Sequence, residues 1–124
     1  MIDFENGTFA KLRQVDNDDI GGTVRSLLLP DEEIIGVYKT VRDRVIFTDR
    51  RILAVNIQGA TGKKQDISSL PYRKVTAFSI ETSGIFDTDS ELELYFSGLG
   101  KVRFEFFGSG HMAQIGQTLA KYAL

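Results

Sequence analysis

Four groups of residues in this 124-residue chain carry side chains that could do chemistry. Lys39, Arg42 and Arg44 form a K-x-x-R-x-R cluster, and charge-assisted hydrogen bonds from ammonium and guanidinium groups are a common way to hold a phosphate or another anion. The ordinary alternative, a solvated basic turn paired with Asp43, is preferred. Gly59, Ala60, Thr61, Gly62, Lys63 and Lys64 tempt a phosphate-loop reading, but such a loop needs four residues between its glycines and a Ser or Thr after its Lys. A GXXG clamp on a nucleic-acid backbone fits no better between two strands of an acidic protein, so a plain turn is expected. Asp87, Asp89, Glu91 and Glu93 make an acidic ladder without calcium-loop spacing, which suits pairing with Lys101 and Arg103 or contact with a neighbouring subunit rather than metal. His111 is the only histidine, and no neighbour in sequence supplies the orienting acid and nucleophile that an imidazole base needs. These readings predict no catalytic residue, no metal site and no cofactor.

Composition narrows the classes further. One domain is expected from the length, large enough to bury a core without disulfides. The absence of cysteine removes thiol catalysis and Cys-ligated zinc. A net charge of -2 lacks the broad positive field that nonspecific nucleic-acid binding needs. No run approaches the roughly 18 to 20 apolar residues of a membrane span, and the start MIDFENGTF is acidic where a secretory signal would be basic. The cytoplasm is the expected location, nucleic acid is not an expected partner, and membrane association is the exception.

The elements that must position these residues follow from periodicity. Residues 45–47 and 52–55 are β-branched apolar runs separated by Thr48, Asp49, Arg50 and Arg51, which predicts a hairpin. Ile52, Leu53, Ala54 and Val55 leave no polar alternate position, so both faces of that strand must be covered. A first helix is expected over about 17–28, weakened by Gly21 and Gly22 and ended by Pro30, and it is one candidate for the second cover. Residues 8–12 could make one or two helical turns. Strands are expected at 33–41, at 63–67 as a polar edge, and at 72–83. In 90–107 Leu92, Leu94 and Phe96, then Val102, Phe104 and Phe106, alternate with polar residues. A loop of Gly98, Leu99 and Gly100 would place Phe96 opposite Val102. Met112, Ile115, Leu119 and Tyr122 form one stripe of a final helix that opens at Ser109 or Gly110.

Seven antiparallel strands closed by a C-terminal helix is the order of a pleckstrin-homology (PH) barrel, mainly β with α. The runs RDRVIFTDRRILAV, QGATGKK, SLPYRKV and FSIETSGIFDTDSELELYFSG resemble the bacterial PH domain family. The resemblance covers about residues 16–124, with 1–15 as an N-terminal extension. It implies a small module of unknown function that forms ring-like homo-oligomers, without established catalytic residues. Lys39, Arg42 and Arg44 are also similar to the phosphoinositide clamp of eukaryotic PH domains. The leading expectation is a non-enzymatic ring that presents a repeated surface to a protein partner, with Phe47, Val55, Asp87, Asp89, Glu91 and Glu93 as candidate interface residues. The alternative is a monomer that binds anionic lipid or metabolite headgroups.

Overall fold

The structure is a computed structural model that describes residues 1–5, 7–82, 89–107 and 112–123. Its elements in chain order are β1 (Gly7–Val15), α1 (Gly22–Leu27), β2 (Ile34–Lys39), β3 (Arg44–Thr48), β4 (Arg51–Gln58), β5 (Lys64–Pro71), a 3-10 turn (Tyr72–Lys74), β6 (Val75–Glu81), β7 (Asp89–Phe96), β8 (Gly100–Phe107) and α2 (Met112–Ala123). Eight strands form one sheet in the order β5-β4-β3-β2-β1-β8-β7-β6. The only parallel pair among them is β1 with β8; the other neighbours are antiparallel.

The hairpin is β3 and β4, with Phe47 opposite Ile52 and Val45 opposite Ala54. Its two faces feed two separate clusters, as a strand without polar positions requires. Val45, Phe47, Ile52 and Ala54 join Tyr38, Tyr72, Leu92, Leu94, Phe104 and the α2 residues Met112, Ile115 and Leu119 in the barrel interior. Ile46, Leu53 and Val55 turn the other way and are covered by Ile20 and Val24, together with Val37. Burying each such aliphatic side chain stabilises the fold by about 1.5 to 3 kcal/mol. The second cover is therefore the α1 region of the same chain.

Several sequence expectations change. The strand count is eight rather than seven, because residues 7–15 form β1 instead of helical turns in an extension. A bulge between Phe9 and Leu12 lets both residues face the interior, where they are buried. The first helix is only Gly22–Leu27. Gly21 has φ +81, outside the helical region, so Ile20 reaches the cluster from the segment ahead of the helix. A bulge between Ile34 and Gly36 interrupts strict alternation of faces in β2: Ile35 packs on the interior with Tyr38, and Ile34 on the second cluster. The edge strand β5 runs on to Pro71, and the long strand expected at 72–83 opens with the 3-10 turn instead.

The β7–β8 hairpin keeps the expected faces but shifts by two residues, so that Phe96 faces Gly100 and Leu94 faces Val102. An even shift preserves the side-chain faces. In the observed register the turn is closed by the Leu99 amide donating to the Phe96 carbonyl at 3.1 Å, while the flanking amides point out of the hairpin, Lys101 to the Phe4 carbonyl at 2.9 Å and Ser97 to the Thr76 hydroxyl at 3.1 Å. Gly100 permits this approach, since a Cβ there would lie 2.4 Å from the Phe4 carbonyl oxygen. The stripe on α2 is as expected, with Met112, Ile115 and Leu119 buried and Tyr122 partly buried against the interior.

Candidate functional site

The basic cluster is built where β2 turns into β3. Lys39 ends β2, Arg44 starts β3, and the two face each other across the ladder. Arg13 of β1 faces Lys39 from the other side, so three cations stand in one row across β1, β2 and β3. Like charges directly opposite on a sheet repel, and Asp19 relieves part of that repulsion. Its carboxylate accepts from Arg44 Nη2 at 3.0 Å and lies 3.8 Å from Lys39 Nζ. Arg42 stands apart from the row, donating from Nη2 to the Gly59 carbonyl at 2.6 Å and thereby pinning the 59–62 turn, which a Gly62 amide to Gly59 carbonyl bond closes at 3.3 Å. Asp43 faces away from this cluster and accepts the Ile57 amide at 3.1 Å. Lys39 and Arg44 are thus brought together, Arg42 is not with them, and Arg13 is a member that the sequence reading missed. Its only sequence signal was an arginine in a segment read as an extension.

The acidic ladder lies on the outer face of β7. Glu91 faces Glu81 on one side and Glu105 on the other, which gives a row of three carboxylates across β6, β7 and β8. Arg103 is the nearby cation, 3.2 Å from Glu93 and 3.9 Å from Glu91. The Tyr95 hydroxyl donates to Glu93 at 2.6 Å. That bond, with Arg103 and the charge of Lys101, holds the Glu93 carboxyl below the usual carboxylate range despite some desolvation. Asp89 faces Phe107 in the adjoining row. Asp87 and His111 lie outside the described residues. Among the described residues no group of three or more His, Asp or Glu is placed to hold a metal ion, and no helix is long and apolar enough to cross a membrane.

Phe47 and Val55 cannot serve as interface residues in this arrangement. Each is 1% exposed within the single chain, Phe47 in the barrel interior and Val55 under the α1 region. The apolar run needs two covers, as expected, but both are intramolecular.

A third polar network was not anticipated. Glu32, just ahead of β2, has a fully buried side chain that accepts Arg51 Nε and Arg51 Nη2 at 2.9 Å each, the Thr48 hydroxyl at 2.6 Å and the Leu29 amide at 3.1 Å. Burial alone would push this carboxyl up; the four hydrogen bonds and the Arg51 charge outweigh it and bring the value down to about 2. Thr48 Oγ1 also accepts the Arg50 and Arg51 amides at 3.1 Å, and the Tyr72 hydroxyl donates to the Thr48 carbonyl at 2.7 Å. Both carboxylate oxygens are saturated and the group is a weak base, so the network locks the TDRR turn rather than moving protons. The signal that could have found it is Arg51 itself: a guanidinium opening a strand that is dry on both faces needs a carboxylate partner.

Comparison with known proteins agrees with this architecture. The family model described as "Bacterial PH domain" matches residues 3–123. The uncharacterized protein YjqA of Bacillus subtilis (strain 168) is 47% identical over 72 residues, a match spanning 58% of each chain. The uncharacterized protein YozO of the same strain is 28% identical over 116 residues, covering 94% of this chain and 96% of that one. Among solved structures, a DUF1696 family protein with a pleckstrin-homology domain from Shewanella loihica PV-4 superposes with a TM-score of 0.78 at 32% identity, covering 93% of this chain and 99% of the other. A pleckstrin homology domain from Shewanella amazonensis SB2B gives a TM-score of 0.63 at 38% identity, with 89% and 90% covered. With the fold, the hairpin and a match over nearly its whole length in agreement, the chain belongs to the bacterial PH domain family.

Proposed function

We propose that this PH-like domain is a non-enzymatic cytoplasmic interaction module that self-associates into a closed ring and presents a repeated surface to a protein partner. The observation that supports this reading most is the row of Glu81, Glu91 and Glu105, three carboxylates directly opposite one another on an outer sheet face. Each opposed like-charge pair costs a few tenths of a kcal/mol up to about 1 kcal/mol in an isolated subunit. Counter-charge from another chain would turn that cost into attraction, and a head-to-tail contact of this kind closes into a ring when its rotation permits. Light scattering on the unmodified protein at tens of micromolar tests the reading. A mass several times that of one chain, falling as salt is raised, is the expected result; a monomer overturns it.

A second reading, a monomeric binder of anionic lipid or metabolite headgroups at Lys39, Arg42 and Arg44, gains support from Val41, which is 98% exposed on the turn between these residues. It ranks second because a carboxylate, Asp19, already lies between Lys39 and Arg44, and Arg42 is spent on the Gly59 carbonyl. Saturable retention on anionic vesicles would reverse the order.

A further inference from the structure

The two charged rows lie on the outer face of the same sheet, each made by three adjacent strands. Arg13, Lys39 and Arg44 are in register across β1, β2 and β3; Glu81, Glu91 and Glu105 are in register across β6, β7 and β8. Neighbouring strands are about 4.8 Å apart, so the two rows repeat with one spacing and can be matched charge for charge. Among the described residues, the ion pairs leave both rows only partly compensated. Asp19 serves two of the three cations, and Arg103 reaches Glu91 only at 3.9 Å.

The basic side has the further features of a contact surface. Lys11, Arg13, Lys39, Thr40 and Val41 line a cleft of about 570 Å³. Lys11 has φ +58, a left-handed conformation that non-glycine residues seldom adopt, and the bulge it belongs to turns Ala10 and Lys11 out to solvent together. The Arg13 guanidinium lies 4.8 Å over the ring of Phe107, which orders it in advance. Phe107 is 55% exposed and Val41 98% exposed, so apolar surface lies beside the cations, next to Arg13 and on the turn after Lys39. Apolar contact bordered by matched charge is the composition of a protein interface.

We propose that the basic row of Arg13, Lys39 and Arg44, with Val41 and Phe107 beside it, is the docking face for the acidic row of Glu81, Glu91 and Glu105 of a second copy of this chain. The inference rests on the self-association reading and names the two surfaces that meet in it. One copy's carboxylates approach the other's Arg13 and Lys39, while Asp19 keeps Arg44 oriented at the end of the row.

The test uses two full-length variants measured by light scattering at tens of micromolar. One carries Glu81→Lys, Glu91→Lys and Glu105→Lys; the other carries Lys11→Glu, Arg13→Glu and Lys39→Glu. Each alone should run as a monomer, because each then opposes like charges at the contact. An equimolar mixture should assemble again into oligomers in which the two variants alternate, since the first variant's new lysines meet the second's new glutamates and the remaining surfaces are unaltered. Circular dichroism checks that both fold. If either does not, Gln at the same positions replaces the reversal and should raise the concentration needed for assembly by about tenfold or more. An unmodified protein that is monomeric overturns the self-association reading itself. Assembly that survives both variants, or monomers that fail to recover on mixing, overturns the docking face alone. A basic-row variant that keeps its mass but loses retention on anionic vesicles assigns the patch to a membrane surface and also overturns it.

Discussion

Glu32 with Arg51, and Asp19 with Lys39 and Arg44, are the same chemistry in two settings. The Glu32 side chain is fully buried and every lone-pair direction is filled, whereas the Asp19 side chain is 39% exposed and serves two cations, one only at 3.8 Å. Water decides the difference. A buried carboxylate must be compensated completely, which makes its partners structural; an exposed one is screened, which leaves its partners free to exchange it for another anion. Position in the sheet follows the same division. Arg51 opens the strand whose two faces hold the two clusters together, while Lys39 and Arg44 lie at the hairpin end beyond them.

The largest effect that could break this contrast is expected at Arg51. Arg51→Met leaves Glu32 buried without its cation and should cost about 3 to 5 kcal/mol in urea unfolding. Adding Glu32→Leu to it should restore part of that loss, because a buried pair exchanged for apolar side chains is often nearly neutral. A loss below 1 kcal/mol for Arg51→Met alone would mean that the network is no lock.

A smaller effect is expected from acid. The folded Glu32 carboxyl lies at about 2 against an ordinary 4.5, so it contributes stability above pH 4.5 that disappears as the pH falls towards 2. Unfolding midpoints measured between pH 5 and pH 2.5 should therefore decline, and the decline should be shallower in Glu32→Gln. Identical slopes in the two proteins would assign the acid sensitivity elsewhere.

The smallest effect on stability belongs to Asp19. Asp19→Asn removes a partly exposed partner and should cost no more than about 1 kcal/mol. The sharper reading of this variant is binding: with the carboxylate gone, the basic row should hold anionic vesicles more strongly than in the unmodified protein. Unchanged retention would show that Asp19 does not occupy an anion position.

Much of the fold was legible because its signals are local. Alternation in β7 and β8, the β-branched hairpin and the α2 stripe each depend on residues close together in the chain, and each appears in the structure with its expected faces. The family was legible for the same reason, from RDRVIFTDRRILAV and the runs after it. The candidate site was legible only as pieces. Lys39 and Arg44 were visible through their spacing, but Arg13 joins them only because β1 pairs with β2, and Glu81 and Glu105 join Glu91 only through ladders on either side of β7.

Taken by itself, the amino-acid order determined which segments are strands with a dry face, that β4 needs two covers, and that a terminal helix closes the interior. Tertiary structure decided what composition and periodicity cannot carry. Residues 7–15 became a strand because β2 and β8 stand ready on both sides, a backbone pairing that overrides a weak local preference. The β7–β8 register lies two residues from the expected one, with its turn closed by the Leu99 amide on the Phe96 carbonyl and its outward amides taken up by the distant Phe4 and Thr76. The second cover proved to be the chain's own α1 region, and Glu32 and Arg51 became a lock because folding removes water from both at once, so that each compensates the other's charge.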